Sequence, residues 1–181
     1  QNRQQPDLQL FEFGQDYQQH NEKRKETQRL ALALVGKQNT ENWNNTKAQE
    51  FSFFELKKEV VAVLQRFGLA ANCKEVAQAC VLFEQGFALQ INGKTLVELG
   101  KIHPQIQQVF DVKQAVYYAQ FDWQLLVKEA NKQKIRFQEV PKSFAVRRDL
   151  SLLVDQQTTY QALESSAKKA ETKLLQDVQL F

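Results

Sequence analysis

The chain has 181 residues, of which 43% are hydrophobic and 25% charged, with a net charge of +3. That balance places it among soluble globular chains large enough for one good core or two small ones, and argues against disorder as the overall state. No apolar run approaches the roughly 20 residues that span a bilayer and no basic-then-apolar leader opens the chain, so we expect a cytoplasmic protein with no membrane partner.

Gln1 to Asp7 is polar and reads as a frayed start. Leu8 to Phe13 alternates apolar and polar, predicting a strand closed by Gly14. The charged run Gln18 to Thr27 reads as a mobile hairpin loop, because nothing apolar holds it down. Arg29 to Val35 resumes as a strand ended by Gly36, and the polar stretch Lys37 to Glu50 has Trp43 as its one large apolar anchor. Ser52 with Glu55 three residues on forms a capping box for a helix. Phe54, Val61 and Leu64 lie in its expected buried stripe, and Gly68 sits where the helix should end.

Val81 to Ile91 and Lys94 to Leu99 are apolar-rich runs joined at Asn92-Gly93, the signature of a hairpin with a type I′ turn. Gly100 to Pro104 is expected to break that pairing, with Pro104 starting a short helix through Phe110. Ala115 to Phe121 reads as a strand, Asp122 as the cap of a helix from Trp123 to Ala130, and Lys134 to Val140 as extended up to a boundary at Pro141. The expected fold is therefore α+β, an antiparallel sheet with flanking helices.

Beyond the boundary, Phe144, Val146, Leu150, Leu152 and Val154 share one parity of a predicted strand, with Arg148 the exception. Arg148 then needs a partner, and we pair it with Asp149 as a structural ion pair. Thr158 and Gln161 read as a second capping box. Tyr160, Leu163, Ala167, Ala170 and Leu174 recur at helical spacing, which assigns Tyr160 to a core face. Gln176 to Phe181 begins another strand, giving strand, helix, strand: half of a ferredoxin-like plan.

Chemistry-bearing motifs are scarce. The phosphate-cradling, dinucleotide, zinc-protease and nucleophile-elbow signatures do not occur. Cys73 and Cys80 lack metal-ligand spacing and read as buried free thiols, so no metal site is expected. His20 falls in the polar loop, and His103 before Pro104 reads as a hydrogen-bonding structural residue. Glu12 reads as a partly exposed strand position. From Lys132 onward nine Lys and Arg face six Asp and Glu, whereas fifteen face fifteen before it. The excess positive charge thus lies in the C-terminal segment, as expected of a part that meets a polyanion.

Pro141-Lys142 followed by Ala145-Val146-Arg147-Arg148-Asp149-Leu150, an apolar strand and an amphipathic helix, resembles the opening of the ferredoxin-like anticodon-binding domain in beta subunits of bacterial phenylalanine-tRNA ligases. Where that family has an aromatic-proline pair before the alanine, this chain has Ser143-Phe144. Upstream, Phe11-Glu12-Phe13-Gly14-Gln15-Asp16-Tyr17 resembles the strand that leads to an ATP-gripping arginine in class II synthetases, but the next residue is Gln18. Phe121-Asp122-Trp123-Gln124-Leu125-Leu126 resembles their later helix start, with Phe121 and Gln124 where catalytic relatives carry glycine and arginine.

The resemblance implies a class II synthetase-like, non-catalytic core over residues 1–136 and the N-terminal part of an anticodon-binding domain over 137–181. It implies no catalytic residue and no cofactor in this piece, ATP and magnesium ion serving the full enzyme. A catalytic alpha subunit in an α2β2 assembly and tRNA are the implied partners. Arg147, Lys168, Lys169 and Lys173 are the implied RNA-binding residues, acting through phosphates. The missing initiator, the lack of methionine and the half-finished ferredoxin-like plan lead us to expect a C-terminal piece of a longer chain. A free-standing RNA-binding or protein-interaction module is the alternative, and a small-molecule enzyme a third.

Overall fold

Alternating apolar residues from Leu8 onward build the first of six strands, and its backbone ladder carries on well past the residues that start it. The computed structural model describes residues 6–20, 23–39, 43–44, 47–77, 80–133 and 144–180. They fall into two units, Gln1–Arg136 and Phe137–Phe181.

In the first unit, β1 (Leu8–His20) pairs with β2 (Lys23–Val35) from Leu8↔Val35 to His20↔Lys23 without a shift in register. Two sequence expectations are corrected here. Gly14 does not end β1; a Cβ there would meet nothing within 4 Å, so the open strand tolerates it. The charged run is also strand on both sides of 21–22, because ladder hydrogen bonds need no apolar side chain. At its base, toward the body of the sheet, Arg29 Nε donates to the Asp16 carboxylate at 2.7 Å, beside buried Thr27. Trp43 anchors nothing: it is 93% exposed.

Helix α1 (Phe53–Arg66) begins as its sequence requires. Ser52 Oγ accepts from Phe54 N at 3.2 Å, and Ser52 N donates to Glu55 at 2.8 Å. It ends in a Schellman motif, with Gly68 N donating to Gln65 O and Leu69 N to Leu64 O. Gly68 has φ +68°, which an L side chain rarely adopts. The buried face is Leu56, Val60 and Leu64, spaced by four. Phe54 is exposed, contrary to the expected stripe, since it stands two residues and so about 200° around the helix from Leu56.

One turn of 3-10 helix, Ala70–Asn72, leads to β3 (Lys74–Ala77), a short strand without a sequence signal. The hairpin of β4 (Phe83–Ile91) and β5 (Lys94–Ile102) turns on Asn92 (φ 51°) and Gly93 (φ 74°), the two positive dihedrals of a type I′ turn. β5 runs on through Gly100 to Ile102, so the expected break falls later, at His103. Helix α2 (Pro104–Val109) follows, with His103 Nδ1 accepting from Gln105 N at 3.3 Å, the structural role read for that histidine. β6 (Val116–Asp122) passes directly into α3 (Trp123–Ala130), where Asp122 Oδ1 accepts from Leu125 N at 2.9 Å.

The sheet order is β1-β2-β6-β5-β4-β3, with every neighbouring pair antiparallel. Leu30, Leu34, Leu89, Leu99, Ala119 and Phe121 line the face that meets Leu56, Val60 and Leu64 of α1 and Leu126 of α3. Burying each of the leucine, valine and phenylalanine side chains among them contributes about 1.5–3 kcal/mol. Phe13, Trp123 and Phe67 extend that core as edge-on aromatic pairs at 4.8 and 5.6 Å.

The second unit contains α4 (Tyr160–Ala170), capped by Thr159 Oγ1 accepting from Ala162 N at 3.3 Å, one residue later than the sequence suggested. Residues 144–155 and 175–180 carry no strand. A strand persists as a member of a ladder, and in a split βαβ plan the first two strands are separated by a third. No third strand stands among the described residues of this unit, so the alternation has nothing to pair with. The helix also stops at Ala170, leaving Leu174 exposed beyond it. Tyr160 is exposed rather than core, its hydroxyl donating to Val178 O at 2.6 Å. The expected segment Lys134 to Val140 and the boundary at Pro141 and Lys142 lie outside the described residues.

Candidate functional surfaces

With α1 and α3 on one face, register alone defines what the opposite, open face presents. One row crosses all six strands: Glu12, Ala31, Gln120, Glu98, Ala88 and Val76. A second row on one side is Gly14, Arg29 and Asp122; on the other side stand Leu10, Ala33, Tyr118, Gly100 and Gly86. Arg29 is the one cation in these three rows. It is held by Asp16 at 2.7 Å, and Gln120 Nε2 donates to Glu98 at 2.7 Å.

Phe83 covers the glycine end of the face. A Cβ on Gly86 or Gly100 would lie 2.8 or 2.9 Å from its ring, so the two bare backbones are what let the ring settle there. Phe83 is buried and its ring stands 6.5 Å from that of Tyr118. Burial first, then the carboxylate of Asp16, raises the Tyr118 phenol above its ordinary value of 10.0. This surface is aromatic and acidic, the opposite of a site that grips polyphosphate.

Gln18 lies in β1 opposite Lys25, and Gln124 is exposed in the first turn of α3. Glu12 is exposed on β1, and His20 is a strand position, not a loop one. Cys73 and Cys80 are free and half-buried, short of the full burial expected, with burial pushing the Cys73 thiol up. Among the described residues no three His, Cys, Asp or Glu side chains converge as metal ligands.

In the second unit Asp149 meets Arg147 Nε at 3.5 Å, and the two side chains are 66% and 79% exposed. The internal Arg148–Asp149 pair is therefore corrected to a surface pairing with the other arginine, since exposed ions lose little hydration and need no buried partner. Lys168 Nζ reaches Glu164 at 2.6 Å one turn away on α4, which raises the lysine's pKa through that hydrogen bond. Lys169 and Lys173 are exposed. Arg147, Lys168, Lys169 and Lys173 all stand at the surface of this unit.

Sequence reasoning missed Arg29–Asp16 and the placement of Phe83. Both depend on cross-strand register; two mid-strand glycines, Gly86 and Gly100, were the available hint.

The six-stranded antiparallel sheet, with α1 and α3 on one face, has a class II aminoacyl-tRNA synthetase-like fold. It resembles the crystal structure of pyrrolysyl-tRNA synthetase from Desulfitobacterium hafniense with a TM-score of 0.52, over 72% of this chain and 44% of that one at 15% identity. Residues 1–123 match the family described as the phenylalanyl tRNA synthetase beta chain CLM domain. The chain belongs to the phenylalanine-tRNA ligase beta subunit family. The beta subunit of Bacteroides thetaiotaomicron is 32% identical over 99% of this chain and 23% of its own length. That of Bacteroides fragilis is 33% identical with the same coverage, and that of Porphyromonas gingivalis 31% identical over 96% of this chain and 22% of its own. The chain thus spans under a quarter of the length of these curated relatives.

Proposed function

We propose that this chain is a non-catalytic part of a phenylalanine-tRNA ligase beta subunit, working in the cytoplasm. Residues 1–136 are a synthetase-like scaffold for a catalytic alpha subunit within an α2β2 enzyme. Residues 137–181 are the N-terminal part of an anticodon-binding module. The whole enzyme would join phenylalanine to its tRNA using ATP and magnesium ion.

The observation that carries this reading is the open face of the sheet. Forming an adenylate needs cations on the polyphosphate as charge builds on the leaving group. Here the one arginine of the three central rows is already neutralised by Asp16, amide and carboxylate fill the middle, and Phe83 covers the glycines. These residues do not fit a magnesium triphosphate. What such a face can offer is shape: a rigid sheet to be gripped by another subunit.

For the cationic segment, Arg147, Lys168, Lys169 and Lys173 act as phosphate contacts that position the RNA without reading its bases. The test has two arms. The purified chain should release no pyrophosphate from ATP with phenylalanine, and used as bait in its native lysate it should retain a phenylalanine-tRNA ligase alpha subunit. Turnover by the chain alone, or no alpha subunit retained, overturns the proposal.

A further inference from the structure

Gly86 and Gly100 stand directly opposite each other in the β4–β5 ladder, in strand interiors where a glycine costs stability. Neither has a positive φ, so backbone conformation does not ask for them. Steric clearance does. Gly100 is needed twice over, since a Cβ there would lie on the Gln85 carbonyl oxygen as well as 2.9 Å from the Phe83 ring. Gly86 is needed for the ring's sake: the three nearest atoms to a Cβ there, at 2.8, 3.0 and 3.1 Å, all belong to Phe83. Tyr118, opposite Gly100 on β6, bounds the next position of the row, with its ring tilted 35° to that of Phe83.

Phe83 reaches this place from outside the regular ladder. It opens β4, and the pairing with β5 shifts register between Phe83 and Gln85. Glu84, inside that shift, is held by Lys101 at 2.8 Å. The irregular corner is thereby pinned while the phenyl ring turns over the glycines. Phe83 is 6% exposed there, buried by residues of this sheet.

We propose that Gly86, Gly100 and Tyr118 form a receptor for one flat six-membered aromatic ring of a small molecule, and that Phe83 fills it from within the chain as an autoinhibitory plug. The plug's own shape supplies the ligand class. Two bare backbones make a floor that a flat ring covers, and Tyr118 offers the tilted ring contact that aromatic pairs favour. An apolar cavity left by deleting a buried side chain stays dry and takes up an aromatic solute of its size. The inference uses the placement of the ring and no partner, so loss of alpha-subunit capture and loss of ring binding are separate outcomes.

The test titrates Phe83→Ala, made in the 181-residue chain, with benzyl alcohol and with cyclohexylmethanol, its puckered counterpart, following the Gly86 and Gly100 amides by proton–nitrogen NMR. Both glycines should show saturable shifts, with the aromatic alcohol binding roughly fivefold or more tighter. The parent chain should show none. Gly86→Ala added to Phe83→Ala puts a methyl group in the vacated space, and should abolish binding while the rest of the amide spectrum stays native. If Phe83→Ala does not fold alone, benzyl alcohol should restore its native spectrum where cyclohexylmethanol does not, because a ligand that binds only the folded state stabilises it. Equal effects of the two alcohols, no effect of either, binding that survives Gly86→Ala, or saturable shifts in the parent overturn the proposal.

Discussion

Glu129 is a buried carboxylate at the end of α3 that ties two elements together. It accepts from Lys132 Nζ at 2.6 Å and from Asn92 Nδ2, on the β4–β5 turn, at 3.3 Å. The Lys132 hydrogen bond holds it below the ordinary carboxylate value of 4.5. A group whose folded pKa is depressed stabilises the fold above its unfolded pKa and loses that contribution as pH falls through the folded value. Glu129→Gln should therefore be less stable than the parent at neutral pH, with the difference in urea midpoint vanishing in acid below pH 4.5. Gly100 offers a steric counterpart. An alanine Cβ there would press on the Phe83 ring and, closer still, on the Gln85 carbonyl oxygen, a backbone atom that cannot swing aside. Gly100→Ala should cost about 1–3 kcal/mol in denaturant unfolding. Neither partnership was legible in the sequence, since 37 residues separate Glu129 from Asn92 and only register brings Gly100 to Gly86.

Elements defined by local chemistry were the ones the sequence made plain. Ser52 and Glu55, Asp122, Asn92-Gly93, and Pro104 after His103 each carry a cap or turn within a few residues of themselves, and each stands where it was read. Ser52→Ala should cost about 1 kcal/mol by removing the cap of α1, measurable as a shift in urea midpoint. Strand extent was read poorly because a ladder is a property of two segments. β1 and β2 support each other through a polar stretch that neither would hold alone, and β3 exists only beside β4. Phe144 to Val154 is the converse, an alternating run with no ladder partner among the described residues. Hydrogen exchange should separate the cases: amides of residues 144–155 should exchange fast while those of β4, β5 and β6 remain protected to the limit set by global unfolding.

For the whole molecule, the first unit has a core spanning sheet and helices, whereas no described residue of the second is buried. Its exposed surface carries large apolar side chains such as Phe144, Leu150 and Leu153 as well as its charges. If Arg147, Lys168, Lys169 and Lys173 all meet phosphates, binding to tRNA should fall with salt at a logarithmic slope of roughly −3 to −4. Replacing any one by alanine should weaken binding evenly across RNA sequences and lower that slope by about 1, as measured by filter binding over a salt series. An antiparallel α+β sheet was legible from strand and turn signals, and the family resemblance set Gln18 and Gln124 where catalytic relatives carry arginine. That Asp16 holds Arg29, Gln120 donates to Glu98 and Phe83 covers Gly86 and Gly100 on the open face could be seen only with the sheet assembled.

The type I′ turn also gives the molecule a chemical clock. Asn92 is followed by Gly93, whose unhindered backbone nitrogen can attack the asparagine amide, expel ammonia and leave, after water opens the ring, an acid in its place. The amide that donates to Glu129 would then become a second carboxylate facing the first, turning an attractive contact into repulsion. Aged samples should accumulate an acidic satellite on ion exchange that unfolds at lower urea, and Asn92→Asp made by design should reproduce the part of it in which the ring opens to normal aspartate and not to isoaspartate.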